Sequence, residues 1–268
     1  MGTRRRLLAW LGAGCAACVP LHRPSPPGVE RIVFLGDSLV SRSEQEHHLL
    51  ERVAERVHDA RPSLALDVVD AGVSGNCIAD IRARLKDVLA LAPSVVVLYW
   101  DSDAADVEGA SDPPARVGLL RSAYERDLGL VLDALKAITP RVVVSGPTLM
   151  GERPHGRNAK DHVLDAYAEI NGRLCRSHHA TWVDTRRAAF RWLRHNGGAA
   201  RRDAGRLTED GEHLSAAGVS LVADRLAWAL VRHLGPLSPE VPGLPDARSA
   251  LLLPPDPPPQ SSAAATGD

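Results

Sequence analysis

The 268-residue chain has almost no net charge: 32 Lys and Arg stand against 33 Asp and Glu, a formal balance of −1. Nucleic-acid binders carry a clear basic excess, so composition excludes that partner. Lysine is scarce, limited to Lys86, Lys136 and Lys160. Arginine takes its place, and beside so much alanine this reads as codon bias. Cysteine is scarce too. Cys15 and Cys18 lie near the N-terminus, which leaves only Cys77 and Cys175 for the folded part. Neither has the Cys-x-x-Cys or nearby His spacing of a zinc site. Export would permit a disulfide between them, but they read as two separate buried thiols.

Long hydrophobic runs are also missing. The uncharged stretch Leu7–Val19 has thirteen residues, whereas a membrane-spanning helix needs about 20. It follows Arg4-Arg5-Arg6 and precedes the first acidic residue, Glu30. Residues 1–19 therefore read as a signal peptide or signal anchor, making the protein secreted or membrane-anchored. A lipoprotein cysteine (Cys15 or Cys18) and a transit peptide are the rival readings. Residues 20–29, with Pro20, Pro24, Pro26, Pro27 and Gly28, form a linker. Residues 236–268 are Pro-rich, ending in Pro254-Pro255-Asp256-Pro257-Pro258-Pro259 and small residues. They hold too little apolar surface to offset ordering entropy and are expected to be disordered.

What remains, residues 30–235, is one domain of ordinary size. Short apolar strands are expected at 31–35, 64–69, 94–100, 141–145 and 181–183. Amphipathic helices alternate with them: one over 43–60, one marked by Ile78, Ile81, Leu85 and Val88, and a long one through Val117, Leu120, Tyr124, Leu128, Val131 and Leu135. Two more run through Val163, Tyr167, Ile170 and Leu174, and through Val219, Val222, Leu226 and Leu230, the last capped by Ser215. Val95-Val96-Val97-Leu98 is apolar on both sides and belongs at the centre of a parallel sheet. Five β-α repeats without hairpin signals predict a three-layer α/β/α sandwich with a central five-stranded, mainly parallel sheet. Right-handed crossovers then gather all strand C-termini on one edge, where such sheets bind ligands.

On that edge stands Gly36-Asp37-Ser38-Leu39, directly after Ile32-Val33-Phe34-Leu35. A serine anchored by a rigid strand, beside turn N–H groups, suits a nucleophile. A Gly-Asp-Ser turn is otherwise common loop chemistry. Its weight comes from Asp210-Gly211-Glu212-His213, which adds a carboxylate and an imidazole three residues apart, completing nucleophile, base and orienter.

These blocks resemble the GDSL, or SGNH, hydrolases, over about residues 30–235. The resemblance implies a flavodoxin-like fold and a serine esterase or lipase that needs no metal or cofactor. It places the catalytic triad on Ser38, His213 and Asp210. The second block looks like Ala71-Gly72-Val73-Ser74-Gly75-Asn76, which puts the oxyanion-hole glycine on Gly75. The third block departs from Gly-x-Asn-Asp: this chain has Trp100-Asp101-Ser102-Asp103. Ser102 stands where the family's oxyanion asparagine would be. Either Ser102 donates with a shorter arm, or Asn76 or another side chain takes over, or the domain is non-catalytic and binds a glycan or protein partner. Trp100 is expected to wall the substrate pocket, with Asn76 also facing substrate. The substrate would be a small-molecule, glycan or lipid ester; its acyl and alcohol groups and the oligomeric state are not legible. His155 can line the cleft, while His47, His48, His178 and His179 read as solvated. Asp101-Ser102-Asp103 also imitates the Asp-x-Asp motif of metal-dependent glycosyltransferases, a reading that leaves Ser38 and His213 without a role.

Overall fold

A computed structural model describes residues 28–41, 48–105, 114–139, 141–196 and 204–234. Residues 1–19, expected to form a targeting segment, all but the end of the expected linker, and the Pro-rich tail lie outside the described residues. Five strands, β1 (Val29–Gly36), β2 (Ala65–Gly72), β3 (Val95–Tyr99), β4 (Val142–Ser145) and β5 (Thr181–Val183), form one sheet in the order β2-β1-β3-β4-β5. Every pairing is parallel. The class is the one that the β-α alternation predicts.

Side chains alternate across the strands, and both faces are covered. Val33, Leu35, Val96, Leu98, Val142 and Val144 pack on one face with α2 (Ile78–Ala83), α3 (Leu85–Leu89), α5 (Pro114–Lys136) and α6 (Asp161–Ser177). Ile32, Phe34, Val95, Val97, Tyr99 and Val143 pack on the other, against α1 (Leu49–Ala60) and α8 (Ala216–His233). Burial on both sides is why β3 reads as an unbroken apolar run.

Four elements differ from the sequence reading. The first helix, expected over 43–60, begins at Leu49 after the non-helical His48, and 43–47 lie outside the described residues. The helix expected through Ile78–Val88 is two short helices that meet at Arg84; their buried residues keep one common face, so the period alone does not reveal the break. A four-residue helix, α4 (Ser102–Ala105), follows β3, and α7 (Thr185–His195) follows β5. α7 buries mainly small residues, Ala188 and Ala189 among them, a weak apolar signal. Asp184 caps α7 by accepting the Arg187 N–H at 2.9 Å.

Gly36 shows how the sheet meets the active edge. It pairs with Tyr99, and a Cβ there would run into the Tyr99 carbonyl and the Val40 side chain. Only a bare backbone lets β1 turn this close to β3. Gly36→Ala is expected to cost about 2 kcal/mol through overpacking, lowering Tm by roughly 4–8 °C in a domain of this size. Gly118→Ala, on an exposed stretch of α5 with open space around the new methyl, should be neutral or stabilising. Thermal melts of both variants check the pair.

Candidate active site

Ser38 sits two residues beyond the end of β1 and is half-buried. Its turn closes through the Asp37 carbonyl, which accepts the N–H groups of Val40 and Ser41 at 3.2 and 3.1 Å. The Asp37 side chain is fully buried. Its Oδ1 accepts the Leu39 N–H at 3.0 Å; its Oδ2 accepts the N–H groups of Asp101 and Ser102, each at 2.9 Å, and the Ser102 hydroxyl at 2.6 Å. A buried carboxylate must be satisfied in this way, and the result fastens the serine turn to the end of β3.

That bond corrects the expectation for Ser102. A hydroxyl has one proton to donate, and here it goes to Asp37 rather than towards an oxyanion. Trp100 is corrected too. It is 1 % exposed, its ring lies 6.1 Å from that of Tyr124, and its Nε1 donates to Asp103 Oδ2 at 2.9 Å. It is a core residue behind the site, because the alternation along β3 turns it inwards with Leu98. Asp103 Oδ2 also accepts the Ile78 N–H at 2.8 Å, so this carboxylate fastens the start of α2.

The second block forms a turn after β2. The Val73 N–H donates to the Gly36 carbonyl at 3.1 Å, and the Asn76 N–H to the Val73 carbonyl at 3.0 Å. Gly75 has φ 73°, a left-handed conformation that favours glycine. Its N–H donates to no group among the described residues. Asn76 Oδ1 accepts from Arg84 Nε at 2.7 Å, while the same guanidinium donates to the carbonyls of Ala71 and Gly36 at 2.6 and 3.0 Å. Arg84 thus joins the first two blocks at the helix break. A single arginine inside an amphipathic pattern carries no sequence signal for such a role.

Asp210 and His213 lie on the loop before α8. His213 Nδ1 and Asp210 Oδ2 are 2.6 Å apart, and Asp210 Oδ1 accepts the N–H groups of Glu212 and His213 at 2.9 and 2.8 Å. The hydrogen bond to Asp210 raises the imidazole pKa, against the opposing effect of burial. Burial works to raise the Asp210 pKa, but the bonds from the His213 ring and the two N–H groups bring it down to about 2. The pair is an anionic carboxylate bound to an imidazole with raised basicity. The loop reaches the same edge as the other blocks: its Gly211 carbonyl accepts the Gly151 N–H from the segment after β4, at 2.6 Å.

Other candidates fall elsewhere. His155 Nε2 meets Asp165 Oδ2 at 2.9 Å, and its ring stands edge-on to Phe190. His48 is an exposed residue preceding α1, and His178 contacts Asp133 at 3.3 Å; His47 lies outside the described residues. Cys77 and Cys175 are both free thiols. Among the described residues no group of three or more His, Cys, Asp or Glu side chains is placed to hold a metal ion.

Asp101 carries no motif signal beyond its place in the Asp101-Ser102-Asp103 pattern. Its carboxyl is buried and its Oδ2 has no hydrogen-bond partner. Burial first, then the charges of Asp37, Glu212 and Asp103, push its pKa well above the usual carboxylate range. A carboxyl whose folded pKa exceeds its unfolded one takes up its proton more readily in the folded chain. Its stability contribution is therefore eroded as pH rises from about 4 towards the folded pKa. Asp101→Asn keeps the shape and removes the titration. It should leave stability nearly unchanged at pH 4 and raise it progressively at higher pH, as read by denaturant midpoints across the pH range.

The family profile described as GDSL-like lipase/acylhydrolase matches residues 34–221, well over half the chain. No curated protein matches it. Solved structures do. An acetyl xylan esterase shares 24 % identity, covering 75 % of this chain and 99 % of its own, with a TM-score of 0.65. The acetylxylan esterase of Geobacillus stearothermophilus shares 22 %, covering 77 % of this chain and 94 % of its own, with a TM-score of 0.61. An α/β hydrolase from the metagenome of Lake Arreo, Spain, shares 19 %, covering 77 % and 97 %, with a TM-score of 0.62. The catalytic mutants known for the Geobacillus enzyme change a serine, an aspartate and a histidine, the last two three positions apart. These distant likenesses establish the fold. The profile match takes in the Gly-Asp-Ser turn and the Asp-x-x-His loop, and by it the chain belongs to the GDSL-like lipase/acylhydrolase family, whose members are carboxylic ester hydrolases.

Proposed function

We propose that the protein hydrolyses a short-chain acyl ester, of the kind carried by acetylated xylan-type saccharides, by two-step acyl transfer. The observation that carries this reading is the 2.6 Å contact between His213 and Asp210, on a loop fastened to the edge where Ser38 follows β1. Ser38 attacks the ester carbonyl while His213 Nε2 takes its proton; Asp210 keeps Nδ1 protonated and stabilises the imidazolium. His213 then protonates the leaving alcohol, and water repeats the sequence to release the acid. The saccharide ester is suggested by the named activities of the two esterases of like fold. Export, read from residues 1–19, suits a polymeric substrate outside the cell and belongs to the same proposal.

The oxyanion is held by the N–H groups of Ser38 and Gly75. The third donor is the Asn76 side chain rather than Ser102, whose hydroxyl bonds to Asp37. Arg84 occupies the Asn76 carbonyl oxygen, which leaves the amide NH2 as the end available to a ligand.

A fluorophosphonate probe is expected to label Ser38 alone, and Ser38→Ala to abolish labelling and turnover of aryl acetates with Tm nearly unchanged. Labelling at another serine would remove the assignment. His213 must be neutral to act as base, so its raised pKa places the acidic limb of kcat/KM above the ordinary histidine value of about 6.5. Asp210→Asn should move that limb to lower pH and cut kcat by about 10²-fold or more.

The third donor is decided by a pair of variants. Asn76→Ala is expected to lower kcat by about 10²-fold with little change in KM, because the lost bond forms mainly in the transition state. Ser102→Ala removes one bond to the buried Asp37 carboxylate. It should cost about 1.5–3 kcal/mol of stability and alter kcat by no more than about 3-fold, since the N–H donors remain. The opposite pattern returns the role to Ser102. A wild type inert to every ester and to the probe would favour a non-catalytic binding domain.

A further inference from the structure

The Asp210–His213 pair is more than half exposed, at 57 and 54 % of the side-chain surface, so core packing does not hold it in place. The legs of its loop are held by the buried side chains of Leu207 and Leu214 and by a carboxylate from elsewhere in the chain. Glu152 stands in the segment between β4 and α6, next to Gly151, and is 1 % exposed. Its Oε1 accepts the N–H groups of Leu207 and Thr208 at 2.8 and 2.6 Å and the Thr208 hydroxyl at 2.7 Å. The Arg206 N–H lies 3.1 Å from both carboxylate oxygens. Three consecutive backbone N–H groups converging on one anion form a nest, and these bonds are what make the buried charge tolerable.

The nest is on one leg of the loop that carries the pair. Thr208 and Leu214 are bridged in antiparallel fashion, the Glu209 N–H donates to the His213 carbonyl at 2.8 Å, and the Ser215 N–H donates to the Leu207 carbonyl at 2.9 Å. The legs 206–209 and 213–215 therefore move as one, and anchoring the first leg sets the height of Asp210 and His213. Beside it, the Gly151 N–H holds the Gly211 carbonyl at the tip. The anchoring segment is itself rigid. Its Gly146 carbonyl accepts from Asn171 Nδ2 at 2.9 Å, and its Thr148 carbonyl from Arg186 Nη1 at 3.2 Å. Arg186 is in turn paired with buried Asp161 at 2.6 Å.

We propose that Glu152 is a positioning residue for catalysis: its carboxylate, seated in the backbone nest of residues 206–208, holds the loop that keeps His213 against Asp210. The inference rests on the reading of His213 as the base. It makes the segment after β4, outside the family's four named blocks, a determinant of how well the base is oriented.

The test uses two variants and a readout independent of turnover. Glu152→Gln keeps the size and one acceptor oxygen but removes the charge and sets an NH2 group in the nest. Thr208→Val removes only the hydroxyl bond to Glu152 and is nearly isosteric. NMR titration of the His213 ring is followed in wild type and both variants, together with kcat and KM on an aryl acetate. In Glu152→Gln the His213 pKa should fall from its raised value towards about 6.5, and kcat by about 10-fold or more with KM within about 3-fold. Thr208→Val should move both quantities the same way by less. An unmoved His213 titration overturns the proposal, whatever happens to Tm or kcat, because a purely structural role would lower stability without touching that pKa. If Glu152→Gln does not fold, Thr208→Val decides by the same criterion. Failure of the esterase reading is distinguishable: the wild type would turn over no ester, while its histidine titration would still report on Glu152.

Discussion

The buried carboxylate of Asp37 is the constraint on which the first and third blocks both depend. It lies between the turn after β1 and the turn after β3, and it accepts N–H or O–H donors from Leu39, Asp101 and Ser102. Replacing it with an apolar group would leave those donors without acceptors beside Ser38, and an unmade buried bond costs more than a made one contributes. Gly36, which cannot carry a Cβ against Tyr99, lets the two strand ends approach closely enough for the carboxylate to span them. The turn that carries Ser38 is thus fastened by a carboxylate directly before it in the chain.

Carboxylates elsewhere on this edge divide by environment. Asp37 and Glu152 are buried and fully supplied with donors, and so act as fasteners. Asp210 is exposed but held by His213 and two N–H groups, with its pKa drawn down to about 2. Asp101 is buried with Oδ2 unpartnered, and its pKa is driven up. Burial and hydrogen bonding move a carboxyl pKa in opposite directions, so Asp101 and Asp210, near one site, are shifted oppositely.

The fold was largely legible because its strands are buried on both faces. Val95-Val96-Val97-Leu98 could not be mistaken for a half-exposed strand, and β-α alternation without hairpin signals leaves few topologies. The helix break at Arg84 was not legible, since the apolar period continues across it. α7 carries a weak apolar signal because its buried face mixes Thr185, Arg186, Ala188 and Ala189 with a single large apolar residue, Leu193. Among site residues, Ser38 and the Asp210–His213 spacing stood out because motif chemistry needs those types at those intervals. The burial of Trp100 and the bond from Ser102 to Asp37 were not legible: position in a motif says which residue is next to the site, while the direction of its side chain depends on the local backbone and on the nearest acceptor.

By itself, then, the sequence determined the class of fold, the edge on which chemistry is built, and the identity of nucleophile, base and orienter as candidates. These follow from patterns local in the chain: apolar runs, turn residues, and a carboxylate three positions before an imidazole. Only the tertiary structure decided that the Ser102 proton goes to Asp37, that Trp100 belongs to the core, and that Glu152 grips a loop more than fifty residues further along the chain. Such contacts join residues distant in sequence through backbone N–H groups, which every residue except proline carries, so no residue type advertises them.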